Sequence, residues 1–324
     1  MGKFFAVLLA ALLALAGCGA RQPVRADGFL LNTYVSVTLY DGDRDDAQGA
    51  LDLCRDYEKL FSRTDPDSQL YRLNRREISG VDPELAAVIR LGLDYSRLSG
   101  GALDVTMGSV TELWDFSAQE PSLPGREDVA RALAHVGWEK VTVEGNTVTF
   151  SDPETRLDLG AVAKGYIADR MADYLRGRGV SSAILDLGGN LYCLGTKPSG
   201  KPFQVGVQYP YQDRSQVLGT LPVSDQSVVT SGVYERRIQV EGRSYHHILD
   251  AATGWPVENG LVSVTILSPS SADGDALSTA CFALGLEEGM ALAESLEGVE
   301  ALFVTEDLAV HPTSGMAALF TPAQ

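Results

Sequence analysis

Two kinds of hydrophobic pattern run along the chain, and together they predict helices and strands in mixed order. Between Ala47 and Phe61, apolar residues recur at steps of three and four, which predicts an amphipathic helix. Asp82-Pro83 supplies an N-cap and a first-turn proline, so another helix is predicted to begin there. Further helices are predicted at residues 127–135, at about residues 161–176 and at residues 273–284.

Strand predictions come from runs of β-forming residues that are bounded by turn residues. Residues 29–40 form one run, and residues 140–150 form a hairpin around Glu144-Gly145-Asn146. Residues 183–187 predict an apolar strand, and residues 203–268 predict short antiparallel strands. Because helices and strands do not alternate regularly, we predict an α+β fold: mixed, largely antiparallel sheets packed with helices in a single catalytic body.

The N-terminus has the pattern of an export signal. Lys3 precedes thirteen apolar residues, 4–16, which is too short a run to span a bilayer and predicts a signal peptide over residues 1–17. Leu15-Ala16-Gly17-Cys18 resembles a bacterial lipobox, so we expect a lipidated Cys18 and a polar tether over residues 18–27. The folded domain would span residues 28–324, anchored outside the cytoplasm to the membrane. Ordinary secretion, with Cys18 buried, is the alternative.

Composition narrows the range of partners. The 324 residues include 26 Lys+Arg and 43 Asp+Glu, for a net charge of −17, which disfavours nucleic acid. A phosphate-bearing ligand would therefore need a local cation, either a basic side chain or a metal. The other cysteines, Cys54, Cys193 and Cys281, form no C-x-x-C pair, so we expect buried free thiols instead of disulfides or a zinc site.

Residues 158–165 form the first of three segments with candidate chemistry. Their glycines let backbone approach a ligand, the free N–H groups of a helix start favour anions, and Lys164 adds a positive charge. The spacing matches neither a Walker A loop nor a Rossmann fingerprint. The alternative is that the glycines serve tight helix packing and that Lys164 is solvated.

Residues 271–279 form the second segment. Asp275 and Thr279 are four apart and so share one helix face, and a carboxylate with a hydroxyl suits Mg²⁺. The alternative is an acidic helix N-terminus that complements the helix dipole, with a threonine bonded to its own turn.

The third segment comprises residues 230–236 and 245–254. It contains His246 and His247 beside Asp250 and a glycine-terminated turn, so a general base is possible here. Histidines of a strand with satisfied hydrogen bonds are the alternative.

Five motifs taken in order connect these segments. They read D-L-G-A-x-A-K-G, L-G-G-N, T-S-G-x-Y-E-R, H-H-I-L-D-x-x-T-G and D-A-L-S-T. In this order and spacing the chain resembles the FAD:protein FMN transferases of the ApbE type, from about Thr33 to its C-terminus. The combination favours the functional interpretation of each segment over its structural alternative.

The resemblance implies Mg²⁺-dependent transfer of FMN from FAD to a Thr or Ser hydroxyl of another protein, with AMP leaving. It implies Asp275 and Thr279 as side-chain metal ligands, the carbonyl of Ala161 as a backbone ligand, and His247 or Asp275 as the proton acceptor. FAD would be contacted by Leu31, Ala102, Leu103, Asp104, Asp158, Lys164 and Leu249, with Thr64 at the position of an aromatic residue that usually packs on the flavin.

Some positions depart from the family's pattern. Asn32 replaces a usual glycine, Ala251 replaces a usual proline, and Thr64 leaves flavin stacking to another residue.

Two other functions stay open. An FAD pyrophosphatase and a lipoprotein that only scavenges FAD are the alternatives. No [DS]-G-A-[ST]-[ST] acceptor motif occurs in the chain, so an acceptor would act in trans. The resemblance suggests redox subunits of the sodium-pumping quinone reductase or of ion-translocating ferredoxin complexes.

Overall fold

A computed structural model describes residues 22–213 and 215–323, and elements are numbered within those ranges. The strands are β1 (Val24–Leu30), β2 (Thr33–Leu39), β3 (Val141–Glu144), β4 (Thr147–Phe150), β5 (Ser182–Leu187), β6 (Asn190–Gly195), β7 (Phe203–Gln208), β8 (Val217–Val223), β9 (Gln226–Gly232), β10 (Arg237–Val240), β11 (Arg243–His246), β12 (Leu261–Ser268), β13 (Glu300–Thr305), β14 (Val310–Pro312) and β15 (Thr321–Pro322). The helices are α1 (Arg44–Phe61), α2 (Gln69–Asn74), α3 (Pro83–Leu98), α4 (Gly108–Thr111), α5 (Arg126–Leu133), α6 (Ala163–Gly177), α7 (Ser271–Leu284), α8 (Leu286–Glu294) and α9 (Ser314–Leu319), with a 3₁₀ turn at Trp138–Lys140.

An eight-stranded sheet in the order β1-β2-β5-β6-β9-β12-β13-β14 forms the centre of the molecule. Each neighbouring pair in it is antiparallel. Every residue of β12 is buried, which requires cover on both faces of the sheet. Val264 and Ile266 pack with the apolar side of α7, while Leu267 packs with the three-stranded sheet β15-β8-β7. The α+β prediction is thereby confirmed.

The predicted helices and the β3–β4 hairpin form close to their expected bounds. The predicted run at residues 29–40 is instead two strands, because Leu31 and Asn32 adopt φ of 54° and 55° and reverse the chain. The strand β1 begins at Val24, so residues 24–27 of the predicted tether belong to the sheet. Cys18 and the predicted signal peptide lie outside the described residues.

The cysteines agree with the expectation from composition. The three cysteines in the described part of the chain, Cys54, Cys193 and Cys281, are free and buried. Burial raises the pKa of each of these thiols to about 12, so they are unreactive packing residues. Within residues 22–213 and 215–323, none of the helices combines the length and apolar character that crossing a bilayer requires.

Candidate active site

The crossing of α6 and α7 brings the first two candidate segments together. Gly165 lies in the first turn of α6, and a Cβ atom at this position would stand 2.1 Å from the carbonyl oxygen of Ser271. It would also stand 2.7 Å from the Cα of Ala272. Only glycine allows the two helix backbones to approach this closely. Gly165 therefore serves tight helix packing, as the alternative interpretation of residues 158–165 proposed for its glycines. This packing also places the start of α6 against α7.

Asp275 is the buried carboxylate at this crossing. Its side chain is 4% exposed, and Oδ2 accepts a hydrogen bond of 2.9 Å from the N–H of Gly165. Burial raises the pKa of Asp275, while the positive charge of Lys164 and the hydrogen bond from the Gly165 N–H act in the opposite direction. A carboxylate in this position would gain from a cation, because a metal replaces the solvation that burial removes.

Ala161, the predicted backbone ligand, lies two residues before the first residue of α6. The N–H of Gly165 lies in the first turn of α6, where backbone donors have no acceptor within the helix. That N–H donates to Asp275. A contact of the Ala161 carbonyl with a metal stays a prediction.

Thr279 follows Asp275 by one turn of α7, as the spacing predicts. Its Oγ1 lies 3.2 Å from Oγ of Ser231 on β9, and Ser278 Oγ lies 2.8 Å from the same Ser231 oxygen. A carboxylate, a hydroxyl and a backbone carbonyl are hard oxygen donors and fit Mg²⁺. Within residues 22–213 and 215–323, no three His, Cys, Asp or Glu side chains meet in a group that could hold a metal ion.

Asp169 fixes the start of α7, and it is not among the site residues predicted from the sequence. It lies on α6 and accepts hydrogen bonds from the N–H groups of Ser271 at 2.8 Å and Ala272 at 3.0 Å, and from the Ser270 hydroxyl at 3.0 Å. The two N–H groups are orphan donors of a helix N-terminus, and a carboxylate there also complements the helix dipole. In the sequence, Asp169 is an acidic residue within a predicted helix, and nothing local indicates a partner a hundred residues away.

His247 directly follows β11 and is a neutral base. Burial, followed by the positive charges of Arg236 and Lys164, lowers the pKa of His247 to about 4. Its Nδ1 lies 3.2 Å from the carbonyl oxygen of Arg236, which can only accept, so Nδ1 carries the proton. Nε2 is then the basic nitrogen. Phe116 packs edge-on against the imidazole, with ring centroids 6.4 Å apart.

Lys164 acts electrostatically on both Asp275 and His247. Its positive charge lowers the pKa of both Asp275 and His247. Lys164 is half-buried in the first turn of α6. A buried carboxylate and a lysine therefore share the start of α6, and the charge of that lysine also acts on the His247 imidazole, a combination that suits binding and reaction of a phosphate group.

Asp158 connects that helix start to the loop after α1. Its Oδ2 lies 3.1 Å from Nε of Arg63 and accepts a hydrogen bond of 2.8 Å from the Thr111 hydroxyl. Its Oδ1 accepts a bond of 2.9 Å from the Gly160 N–H. Thr64, next to Arg63, is exposed. Asp158 thereby holds the Thr64 loop against the start of the α6 segment.

Residues 102–106 run beside Asp158, whose N–H donates to the carbonyl of Val105 at 2.8 Å. Leu103 is 4% exposed, and its side chain belongs to the main hydrophobic core. Ala102 is half-buried. A contact of Leu103 with FAD would therefore have to use its backbone.

Asp104 and Leu249 make contacts within the fold. The Asp104 carboxylate accepts bonds from the N–H and hydroxyl of Thr106 at 2.8 and 2.6 Å, and from the Trp138 N–H at 3.0 Å. Burial raises the pKa of Asp104. Leu249 packs in the aromatic cluster around Trp114. Contacts of these two residues with FAD stay predictions.

The turn at Leu31 reaches the His247 segment through Arg236. The N–H of Leu31 donates to the Glu58 carboxylate at 2.7 Å, which holds the turn against α1. A guanidinium nitrogen of Arg236 lies 3.4 Å from the carbonyl oxygens of both Leu31 and Asn32. Arg236 therefore joins the β1–β2 turn to the segment after β11, where the His247 N–H donates to the Arg236 carbonyl at 3.1 Å, a link the sequence did not indicate.

Comparison with known proteins identifies the family to which this arrangement belongs. The model of the ApbE family matches residues 31–303. This chain belongs to the ApbE family. It is 34% identical over 298 residues to the FAD:protein FMN transferase of Klebsiella pneumoniae (strain 342), covering 90% of this chain and 92% of the relative. It is 33% identical over 336 residues to the FAD:protein FMN transferase of Treponema pallidum (strain Nichols), covering 96% and 93%.

Solved structures of the ApbE family have the same fold. The flavin transferase ApbE from Vibrio cholerae superposes with a TM-score of 0.81 at 28% identity, covering 92% of this chain and 99% of the other. The ApbE protein from Thermotoga maritima superposes with a TM-score of 0.85 at 30% identity, covering 93% and 100%. The resemblance stated from the sequence motifs is confirmed, and the chain is an enzyme of the flavin transferase type.

Proposed function

We propose that this ApbE-family protein uses Mg²⁺ to transfer FMN from FAD to a Thr or Ser hydroxyl of an acceptor protein, releasing AMP. The observation that carries the proposal is the 2.9 Å bond from the Gly165 N–H to the buried Asp275 carboxylate, which sets that carboxylate beside the start of α6, where Lys164 lies. The alternatives need only part of this arrangement. Scavenging of FAD would need no base, and hydrolysis would need no docked hydroxyl.

The metal would be held by the Asp275 carboxylate, the Thr279 hydroxyl and the Ala161 carbonyl. When bound, Mg²⁺ neutralises the charge that develops on the phosphate oxygens. Lys164 supplies a second positive charge to the pyrophosphate of FAD, which matters in a protein with a net charge of −17. Asp158 and the turn at Leu31 would border the bound dinucleotide on either side.

His247 would take the proton of the acceptor hydroxyl at Nε2. The hydroxyl oxygen forms a bond to the phosphorus of the FMN moiety, and the phosphoanhydride bond to AMP breaks, so AMP carries away the bonding electrons. The neutral imidazole suits this role because its proton sits on Nδ1, against the Arg236 carbonyl. Asp275, the other candidate base, already accepts from Gly165, which makes it better suited as a ligand.

The acceptor would be a separate protein with a [DS]-G-A-[ST]-[ST] motif, since this chain contains none. Membrane redox subunits of the sodium-pumping quinone reductase or of ion-translocating ferredoxin complexes are the proposed class. A lipid on Cys18 would keep the enzyme on the outer side of the membrane, beside such subunits. Replacing Cys18 with Ser should release an active enzyme from membranes, and continued fractionation with lipid would reject the anchor.

The test is incubation of the enzyme with FAD, Mg²⁺ and an acceptor peptide that carries the motif, followed by mass spectrometry. We expect FMN ester on the peptide and none on a peptide whose hydroxyl residues are replaced by Ala. His247→Gln should slow the transfer while leaving FAD binding in place. Free FMN and AMP with unlabelled peptide would favour the pyrophosphatase, and intact bound FAD would favour the scavenger.

A further inference from the structure

Three hydroxyl groups lie in a row between β9 and α7. Ser278 Oγ donates to the carbonyl oxygen of Asp275 at 3.0 Å. Ser231 Oγ lies 2.8 Å from Ser278 Oγ and 3.2 Å from Thr279 Oγ1. Ser278 is fully buried, and Ser231 and Thr279 are half-buried. The row therefore has one end at a helix carbonyl and the other at the candidate metal ligand.

The direction of each hydrogen bond in this row follows from the carbonyl at its end. A carbonyl oxygen can only accept, and each hydroxyl has a single hydrogen. Ser278 donates its single hydroxyl hydrogen to the carbonyl oxygen of Asp275, so its oxygen must accept a hydrogen bond from Ser231. Ser231 then has no hydrogen left for Thr279, so Thr279 must donate to Ser231.

We propose that Ser231 is a positioning residue for the metal site, because it accepts the Thr279 hydrogen and leaves both lone pairs of Thr279 Oγ1 for a cation. The inference rests on the proposed function, in which Thr279 binds Mg²⁺. If the hydroxyl hydrogen pointed at the cation, its partial positive charge would repel the cation. Ser231 prevents that orientation without touching the metal, in the manner of outer-shell groups that orient metal ligands.

Loss of Ser231 would leave the Thr279 hydrogen without its partner. A threonine within a helix can then bond the carbonyl four residues earlier, which here is that of Asp275. The hydroxyl would rotate toward its own helix, and its lone pairs would turn away from the cation. The effect should fall on metal binding, whereas FAD binding without metal should not change.

The test is calorimetric titration of the whole protein with MgCl₂ alone. Ser231→Ala should weaken Mg²⁺ binding roughly tenfold, the lower end of what outer-shell changes typically cause. Ser231→Thr keeps the hydroxyl and should bind Mg²⁺ as the unchanged protein does. Thr230→Val is the matched control, because it removes the neighbouring hydroxyl pair with Thr265, 2.8 Å apart, from the same strand.

Each result either supports or overturns the assignment. Support requires weaker Mg²⁺ binding in Ser231→Ala, recovery in Ser231→Thr and unchanged binding in Thr230→Val. Equal Mg²⁺ binding in Ser231→Ala, or equal weakening in Thr230→Val, overturns the role of Ser231 while leaving Mg²⁺ in the proposed function. Failure of the unchanged protein to bind Mg²⁺ would overturn both. If Ser231→Ala does not fold, Ser278→Ala breaks the same row and should also weaken Mg²⁺ binding.

Discussion

Gly165→Ala would place a methyl group where the backbones of α6 and α7 touch. The added carbon would lie 2.1 Å from the Ser271 carbonyl oxygen and 2.6 Å from its carbonyl carbon. Both are backbone atoms of a helix, so no side chain can rotate away to relieve the overlap. The two helices would have to separate, and the 2.9 Å bond between the Gly165 N–H and Asp275 would lengthen or break.

Two costs contribute to the expected loss of stability. Forcing extra volume into a packed interior typically costs about 1–3 kcal/mol. Loss of a hydrogen bond to a charged group costs about 1.5–3 kcal/mol more. The unfolding entropy is about 2.1 cal/mol/K per residue, so a folded domain of roughly 300 residues should lose about 1.6 °C of Tm per kcal/mol. A fall in Tm of roughly 4–10 °C is therefore expected, together with weaker Mg²⁺ binding.

Gly177→Ala is the matched control, because it makes the same substitution in the last turn of the same helix. An added Cβ at Gly177 meets no atom within 4 Å, and alanine is the better helix former. Its Tm should be equal or slightly higher, with unchanged Mg²⁺ binding. Differential scanning calorimetry and titration with MgCl₂ measure both quantities. A Gly165→Ala protein that matches the unchanged protein in both would refute the close packing of α6 on α7.

Four further predictions follow from the same contacts. Asp275→Asn should abolish Mg²⁺ binding measured by calorimetry, and binding at the original affinity would reject the metal assignment. Lys164→Ala should weaken FAD binding by roughly ten- to a hundredfold, since a charge-assisted hydrogen bond is worth about 1.5–3 kcal/mol, while binding of riboflavin, which has no phosphate, should not change. The pKa of His247 is lowered to about 4, so the imidazole stays neutral until the pH is well below 6. The kcat/KM for transfer should therefore stay flat as pH falls to about 6. A decline centred on the ordinary histidine pKa of 6.5 would contradict a neutral base. Asp169→Ala should lower Tm and weaken Mg²⁺ binding, whereas Asp43→Ala, which removes the N-cap of α1, should lower only Tm.

The sequence predicts those features that depend on neighbours in the chain. The start of α3 at Asp82-Pro83 and the hairpin turn at residues 144–146 are local, because capping and turn chemistry act over a few residues. The shared face of Asp275 and Thr279 follows from helical spacing alone.

Features that depend on distant contacts were not predictable in this way. Asp169 contacts Ser271 across 102 positions of sequence, and Ser231 meets Thr279 across 48. Their residue types are common at solvated surfaces, so no local pattern separates them from ordinary polar positions. The positive φ at Leu31 was missed for a related reason: a bulky apolar residue rarely adopts it, and here the Glu58 carboxylate and the Arg236 guanidinium hold the turn from outside.

The central claim is that one reaction cleaves FAD and forms the FMN ester on an acceptor hydroxyl. The most direct measurement is a time course that quantifies AMP and peptide-bound FMN together, with FAD, Mg²⁺ and an excess of the acceptor peptide. Coupled transfer predicts equal amounts of AMP and peptide-bound FMN at every time point. AMP accompanied by free FMN, at the same rate with and without peptide, would contradict transfer and assign the site to hydrolysis.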